Sequence, residues 1–181
     1  QAIIEVMTAE PDYLVMGMSS ETFWDGAEGN QRFTRHVEEL SGRRVATGAA
    51  ACNRALQLLG ARRLGVITPY QPVADAQVRR YFTDCGYEIV ALEGLRCPSA
   101  VAIAHVTEAE LRAAIAKVNG PDVEAIVQCG TNLSMARLAD AAERELGKPV
   151  IAINAATFWY ALRDLGITDQ RPGFGCLLRE H

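Results

Sequence analysis

Cys129 is the residue whose type and surroundings point most directly to chemistry. It follows the run 124–128, whose central residues 125–127 are apolar, and precedes Gly130 and a polar segment that leads into an amphipathic stretch. This pattern predicts a buried strand, a turn at Gly130 and then a helix. Open α/β sheets bind ligands at the carboxyl ends of their strands, and a nearby helix N-terminus favours a thiolate. The competing interpretation is packing, because free cysteine is among the most buried residue types.

The elements that must position Cys129 alternate between strands and helices along the chain. The predicted strands are residues 13–16, 44–47, 63–68, 87–92, 124–128 and 150–153. They are solidly apolar rather than alternating, which indicates parallel sheets covered on both faces by helices. The predicted class is therefore α/β. Residues 93–105 are predicted to be a loop, after which Thr107 and Glu110 predict a capping box that opens a helix.

Composition excludes several classes of function. The 181 residues are 49% hydrophobic and 22% charged, with a formal net charge of −4, which argues against a general nucleic-acid binder. No apolar run approaches the roughly 20 residues needed to cross a bilayer. The N-terminal residues also lack the basic start and apolar core of a signal peptide. We therefore expect a cytoplasmic protein with no nucleic-acid or membrane partner.

The cysteines and glycines match no metal, redox or nucleotide motif. Five cysteines occur at irregular spacing without a CxxC pair, and the three histidines are far apart in sequence. Neither a disulfide framework nor a metal site is therefore expected. GxGxxG, GxxxxGK[ST] and GxSxG are also absent, so dinucleotide, P-loop and hydrolase interpretations have no support.

Four segments occur in the order and spacing of one superfamily: Leu14–Ser19, Val66–Tyr70, Ile126–Gly130 and Arg171–Gly175. In these segments, the chain resembles the Asp/Glu racemase superfamily, and within it the arylmalonate decarboxylase and maleate cis-trans isomerase branch. The resemblance extends from near residue 1 to residue 181. It implies two similar lobes, each a parallel sheet flanked by helices, with the active site in the cleft between them. Residues 1–60 and 154–181 would form lobe 1, and residues 61–153 would form lobe 2.

The resemblance also implies which residues form the site. Racemases and maleate isomerases place one cysteine on each lobe, and the second of these corresponds to Cys129. The first falls at Gly17, so this chain has the single-cysteine pattern of arylmalonate decarboxylases. The implied substrate-binding residues are Gly17, Met18, Ser19, Tyr70 and Gly130. The family has a hydroxyl where Met18 stands, and its first strand and loop have no match here. We therefore expect the native protein to be longer.

The chemistry common to this branch is a carbanion beside a carboxylate, held as a planar enediolate. Ser19 and Tyr70 would donate from their hydroxyls, and Met18, Ser19 and Gly130 from their amides. Cys129 would supply the proton. The alternatives are a turn or helix-capping role for Ser19 and a rim position for Tyr70.

Three functions follow from these residues. The first hypothesis is cofactor-independent decarboxylation of malonate-type, arylmalonate-like acids. The second is maleate isomerisation or racemisation of Asp, Glu or hydantoins, with thiolate attack on an alkene carbon in the isomerase version. The third is a non-catalytic relative that binds small carboxylates. In each case the expected partner is a small carboxylic acid, no cofactor or metal is expected, and a homo-oligomer is left open.

Overall fold

The computed structural model describes all residues from 1 to 181. Its strands are β1 Leu14–Val15, β2 Val45–Ala46, β3 Arg63–Thr68, β4 Glu88–Gly94, β5 Ala125–Gln128 and β6 Val150–Ala152. Its α-helices are α1 Ala2–Met7, α2 Gly26–Ser41, α3 Gly48–Leu59, α4 Pro72–Asp84, α5 Ala100–Ala104, α6 Glu108–Val118, α7 Ala136–Leu146, α8 Ile153–Asp164 and α9 Cys176–Glu180. A short 3-10 helix, Ser20–Phe23, lies between β1 and α2. None of the helices is long and apolar enough to cross a bilayer.

The strands form two parallel sheets. The larger has the order β4-β3-β5-β6, and the smaller pairs β1 with β2. Helices α4 and α6 contact β4, α7 and α8 contact β6, and α3 packs against α8. The predicted α/β class, with parallel sheets flanked by helices, is confirmed. The proposed lobe boundaries at residues 60 and 153 remain a prediction.

The register between β3 and β5 brings the ends of two strands together. Ile67 is aligned with Gln128, and the Cys129 amide donates to the Ile67 carbonyl at 2.8 Å. Because the two strands are parallel, their carboxyl ends lie at the same edge of the sheet. The residues after Thr68 and those after Gln128 are therefore neighbours.

Helix starts follow the capping signals of the sequence. The predicted capping box is confirmed: Thr107 accepts from the Glu110 amide, and the Glu110 carboxylate accepts from the Thr107 amide at 2.8 Å. The prediction that residues 93–105 are a loop is wrong at Glu93 and Gly94, which end β4, and at Ala100–Ala104, which form α5. The Ser99 hydroxyl caps this helix by accepting from the Ala102 amide at 3.1 Å. Ser99 is followed by only five helical residues, so its capping role is difficult to recognise from the sequence.

The segment after Cys129 also differs from prediction. Helix α7 begins at Ala136, so residues 129–135 are irregular rather than helical. The Leu133 amide donates to the Gly130 carbonyl, which closes a turn. Leu133 and Met135 are both buried. Burying these two side chains from an irregular segment delays the helix by more than one turn.

Two buried carboxylates hold the end of the Arg171–Gly175 segment in place. The Gly175 amide donates to Asp140 at 3.1 Å, and the Cys176 amide donates to Glu143 at 2.8 Å. Arg179 pairs with both carboxylates, at 2.9 and 3.1 Å. A buried carboxylate requires such partners. These contacts fix the turn before α9 against α7.

The outer side of β1 is open to solvent. An apolar groove of about 620 Å³ runs between α1, β1 and α2. Val15 is about half exposed, and Ile4 and Val6 on α1 are exposed as well. The smaller sheet therefore presents an apolar edge on this side.

A glycine in the centre of the large sheet sets how closely α6 approaches. A Cβ at Gly65 would lie 2.6 Å from the Val118 carbonyl oxygen. We expect Gly65→Ala to lower the free energy of unfolding by about 2 kcal/mol, because overpacking against backbone shifts the helix. Urea denaturation followed by circular dichroism measures this. Gly120→Ala is the control, since no atom lies within 4 Å of its Cβ position. Equal effects of the two substitutions would contradict the packing argument.

Candidate active site

One cavity collects the predicted substrate-binding residues. Its volume is about 150 Å³, and it lies where the chain leaves β1, β3 and β5. Its lining includes Gly17, Met18, Ser19, Tyr70 and Gly130, together with Ser20, Ala100, Ile103, Thr131 and Asn132. The carboxyl ends of parallel strands are where α/β sheets bind ligands. The structure thus brings all five residues to one place, while their roles stay predictions.

Ser19 joins the segments that follow the three strands. Its side-chain oxygen lies 2.8 Å from the Tyr70 hydroxyl and accepts from the Thr131 amide at 3.1 Å. Ser19 is also the residue before the 3-10 helix, but its hydroxyl makes no capping hydrogen bond. Its hydroxyl therefore serves the cavity wall rather than the helix start.

A buried hydroxyl behind Ser19 holds that residue in place. Thr22 donates from its side chain to the Ser19 carbonyl at 2.7 Å. The Thr22 hydroxyl oxygen also accepts from the Ala49 amide in the first turn of α3, at 3.2 Å. Asn30 donates to the Thr22 carbonyl at 2.9 Å. The loop after β1 is thereby fixed to the start of α3 and to α2.

Tyr70 is held by its backbone and faces Ser19 with its hydroxyl. Its amide donates to the Thr68 hydroxyl at 3.2 Å, and its carbonyl accepts from Arg96 at 3.0 Å. Burial raises the pKa of the phenol well above its usual value, and the neighbouring Cys129 raises it further. The Tyr70 side chain is therefore neutral and keeps its proton at physiological pH.

Gly130 occupies a position that no other residue fits. Its φ is +109°, and a Cβ would lie 2.6 Å from Cγ and Cδ of Pro69. The Gln128 side chain donates to the Gly130 carbonyl at 2.8 Å. A side chain at this position would therefore force the turn after β5 away from the Pro69–Tyr70 segment.

Three amides at the cavity lack a protein acceptor. The backbone N–H groups of Met18, Ser19 and Gly130 donate to no oxygen of the chain. These are the amides that were predicted from the sequence to be donors. Met18 itself is more than half exposed. Free donors beside two hydroxyls favour an anionic, oxygen-rich ligand.

Cys129 lies behind this cavity rather than in its lining. The residue is fully buried, and its side chain is absent from the lining residues. Loss of hydration raises the pKa of the thiol well above its usual value, and Cys52 and Asp75 raise it further. The expectation of a nearby helix N-terminus is wrong, because α7 begins seven residues later, at Ala136. Cys129 is therefore a protonated thiol at neutral pH.

Several residues that line the cavity were not predicted from the sequence. Thr131 and Asn132 follow Gly130 directly, and their polar character was a signal that could have identified them. Asn154 donates to the Thr131 carbonyl at 2.8 Å. Ala100 and Ile103 come from α5, which was predicted to be a loop, and their types carry no chemical signal. No group of three or more His, Cys, Asp or Glu side chains is arranged to hold a metal.

Burial and protonation predict how the cysteines react. Cys129 is fully buried, whereas Cys85 and Cys97 are partly exposed. Since the exposed thiolate is the reactive form, iodoacetamide at pH 7.5 should modify Cys97 at least about tenfold faster than Cys129. Peptide mass spectrometry of the native protein gives the rates, with guanidinium-unfolded protein as the control in which all five react. Fastest modification at Cys129 would show that the thiol is exposed or ionised.

The chain is similar to known proteins over most of its length. The family model described as arylmalonate decarboxylase matches residues 12–178. A maleate isomerase of Pseudomonas putida is 30% identical over 136 residues, which cover 74% of this chain and 54% of that protein. An arylmalonate decarboxylase of Bordetella bronchiseptica is 28% identical over 169 residues, which cover 90% of this chain and 69% of that protein.

A solved structure gives the same result. The Nocardia farcinica maleate cis-trans isomerase with a covalently bound succinylcysteine intermediate superposes with a TM-score of 0.93 at 25% identity, covering 99% of this chain and 76% of that one. The chain spans about half the length of the Pseudomonas relative. These relatives are enzymes, and the family match extends over most of the sequence. The chain belongs to the arylmalonate decarboxylase family, in the branch that this family shares with the maleate isomerases.

Proposed function

We propose that the protein is a cofactor-independent decarboxylase of malonate-type, arylmalonate-like acids, with Cys129 as the proton donor. The observation that carries the proposal is the burial of the Cys129 thiol, which raises its pKa, beside a cavity rich in neutral hydrogen-bond donors. A thiol that holds its proton at neutral pH suits a general acid better than a nucleophile. Family membership supports the same reaction class.

The donors would bind the carboxylate that remains on the product. In decarboxylation the bond from the α carbon to the leaving carboxylate breaks, and CO₂ departs. The electron pair stays on the α carbon and spreads into the remaining carboxyl group as an enediolate. Donors fixed in place before the reaction stabilise this charge, and removing one typically costs about 100- to 1,000-fold in rate. The Ser19 and Tyr70 hydroxyls and the free amides of Met18 and Gly130 are the candidates.

Cys129 would complete the reaction. Its S–H bond breaks as the proton moves to the α carbon, which leaves the product acid and a thiolate. The same burial that raises the pKa of the thiol makes this thiolate basic, so it takes a proton back from water before the next turnover. Protonation from the single side of the enediolate that faces Cys129 gives one enantiomer.

Maleate isomerisation is the second candidate. It is supported by the Pseudomonas relative and by the succinylcysteine intermediate named for the Nocardia structure. In that reaction Cys129 would attack an alkene carbon as a thiolate. The raised pKa of this thiol works against the attack, which is why decarboxylation is preferred. Racemisation would need a second acid or base, and Gly17 has no side chain to supply one.

A substrate panel with a cysteine variant tests the proposal. We expect CO₂ release from phenylmalonate-type acids and no conversion of maleate, aspartate, glutamate or hydantoins. Cys129→Ala should lower the decarboxylation rate by about 100- to 10,000-fold, the usual contribution of a general acid. Cys85→Ala is the matched control, because Cys85 lies at the end of α4 and is only partly buried.

The other outcomes separate the alternatives. Conversion of maleate to fumarate would establish the second candidate instead. Tight carboxylate binding without turnover would indicate a non-catalytic relative. Full activity of Cys129→Ala would exclude the cysteine mechanism.

A second thiol at position 17 should change the stereochemistry. No atom lies within 4 Å of the position that a Gly17 Cβ would occupy, so a side chain fits there. Since the two thiols would face one carbon from two lobes, we expect Gly17→Cys to racemise the 2-aryl acid product that the wild type forms as one enantiomer. Chiral chromatography after incubation of the pure product in deuterated water measures this. Gly17→Ser is the control, because its hydroxyl is far less acidic than a thiol and should leave the enantiomer intact.

A further inference from the structure

Both backbone polar groups of Tyr70 are bound to side chains that meet at one carboxylate. The Tyr70 amide donates to the Thr68 hydroxyl at 3.2 Å, and the Tyr70 carbonyl accepts from the Arg96 guanidinium at 3.0 Å. The Thr68 hydroxyl in turn donates to one oxygen of Asp75. The other oxygen of Asp75 pairs with Arg96. Tyr70 is thus enclosed in a ring of four hydrogen bonds.

Asp75 holds this ring together from the first turn of α4. Its residue is only 6% exposed, and Thr68 is fully buried. A buried carboxylate is costly without partners, and here each oxygen has one. Arg96 is about half exposed, so the guanidinium reaches the carboxylate and the Tyr70 carbonyl from the solvent side.

The neighbouring strand leaves room for the ring. A Cβ at Gly94, the last residue of β4, would collide with Oδ2 of Asp75 and with Nη1 of Arg96. The Leu95 amide donates to the Thr68 carbonyl at 2.8 Å, and the Cys97 amide donates to the Pro69 carbonyl at 3.0 Å. The chain after β4 therefore runs alongside the Thr68–Tyr70 segment and carries Arg96 to its place.

We propose that Asp75 and Arg96 are positioning residues that aim the Tyr70 hydroxyl at the reacting carboxylate through the Tyr70 backbone. The proposal rests on the decarboxylase function, in which Tyr70 is a donor to the enediolate. A donor stabilises developing charge only when it is fixed in advance, and a displacement of about 1 Å can cost on the order of 100-fold. The ring restrains the backbone from which the Tyr70 side chain extends.

A double-mutant cycle separates positioning from general stability. We expect Asp75→Asn to lower kcat about tenfold with KM changed less than about twofold, because the Tyr70 contact strengthens only as charge develops. In a Tyr70→Phe background the same substitution should lower kcat less than about twofold, since the donor that it would misplace is gone. Asp84→Asn, at the far end of α4 and partly exposed, is the matched control and should change neither constant.

Arg96 provides a second set of variants with less risk to folding, because its side chain is about half exposed. Arg96→Gln removes the charge that faces Asp75, so its effects on kcat and KM should resemble those of Asp75→Asn. Arg96→Lys keeps the charge but replaces the guanidinium, whose Nη1 contacts both acceptors, with an ammonium on a flexible stem, so we expect it to recover about half of the lost rate.

Hydrogen exchange tests the ring without substrate. In Asp75→Asn the Thr68 hydroxyl loses its charged acceptor, so the Tyr70 amide should exchange its hydrogen at least about tenfold faster. NMR measures this rate, and the exchange rates of the β6 amides should stay unchanged. If the wild type turns over none of the acids, the proposed decarboxylase function fails, and exchange alone decides whether Asp75 holds Tyr70. Equal rate losses in the wild-type and Tyr70→Phe backgrounds would overturn the proposal, as would an unchanged exchange rate at Tyr70.

Discussion

The last hydrogen bond between β3 and β5, from the Cys129 amide to the Ile67 carbonyl at 2.8 Å, determines where everything else at the site can lie. It places the first residue after β5 beside the first residues after β3. Gly130 can then turn directly over Pro69, which is possible because it has no Cβ. A shift of one residue in this register would exchange the faces of β5 and turn Cys129 away from the Tyr70 side of the sheet. The geometry of the cavity therefore depends on how the central strands of the large sheet are paired.

Most of the fold could be predicted from local patterns. Strand β3 has the predicted bounds, and the Thr107–Glu110 capping box forms as expected. These elements carry their signals within a few residues, as apolar runs or capping residues. The five residues that the family resemblance implies for substrate binding also meet at one cavity. The fold places them at strand ends, and strand ends are visible in a sequence.

The surroundings of Cys129 could not be predicted, because they depend on contacts between distant residues. A glycine and a polar run after a strand usually start a helix, but burial of Leu133 and Met135 delays α7 to Ala136. Loss of hydration, and not a helix dipole, consequently determines the pKa of the Cys129 thiol. This pKa is raised, whereas a helix N-terminus would have lowered it. Asp75 likewise reads as an ordinary acidic residue in a first helical turn. Its pairing with Arg96, 21 residues away, exists only in the folded chain.

The hydroxyls of Ser19 and Tyr70, 2.8 Å apart, together carry two protons. One proton is used in the hydrogen bond between them, whichever oxygen donates. If Tyr70 donates, Ser19 already accepts from Tyr70 and Thr131, and its own proton is free to point elsewhere. If Ser19 donates, the phenolic proton is free. Either arrangement offers one neutral O–H group to a ligand. Burial keeps the phenol from ionising, so the two hydroxyls keep both protons across physiological pH. One O–H group therefore remains free to donate to an anion in acid and in mild base.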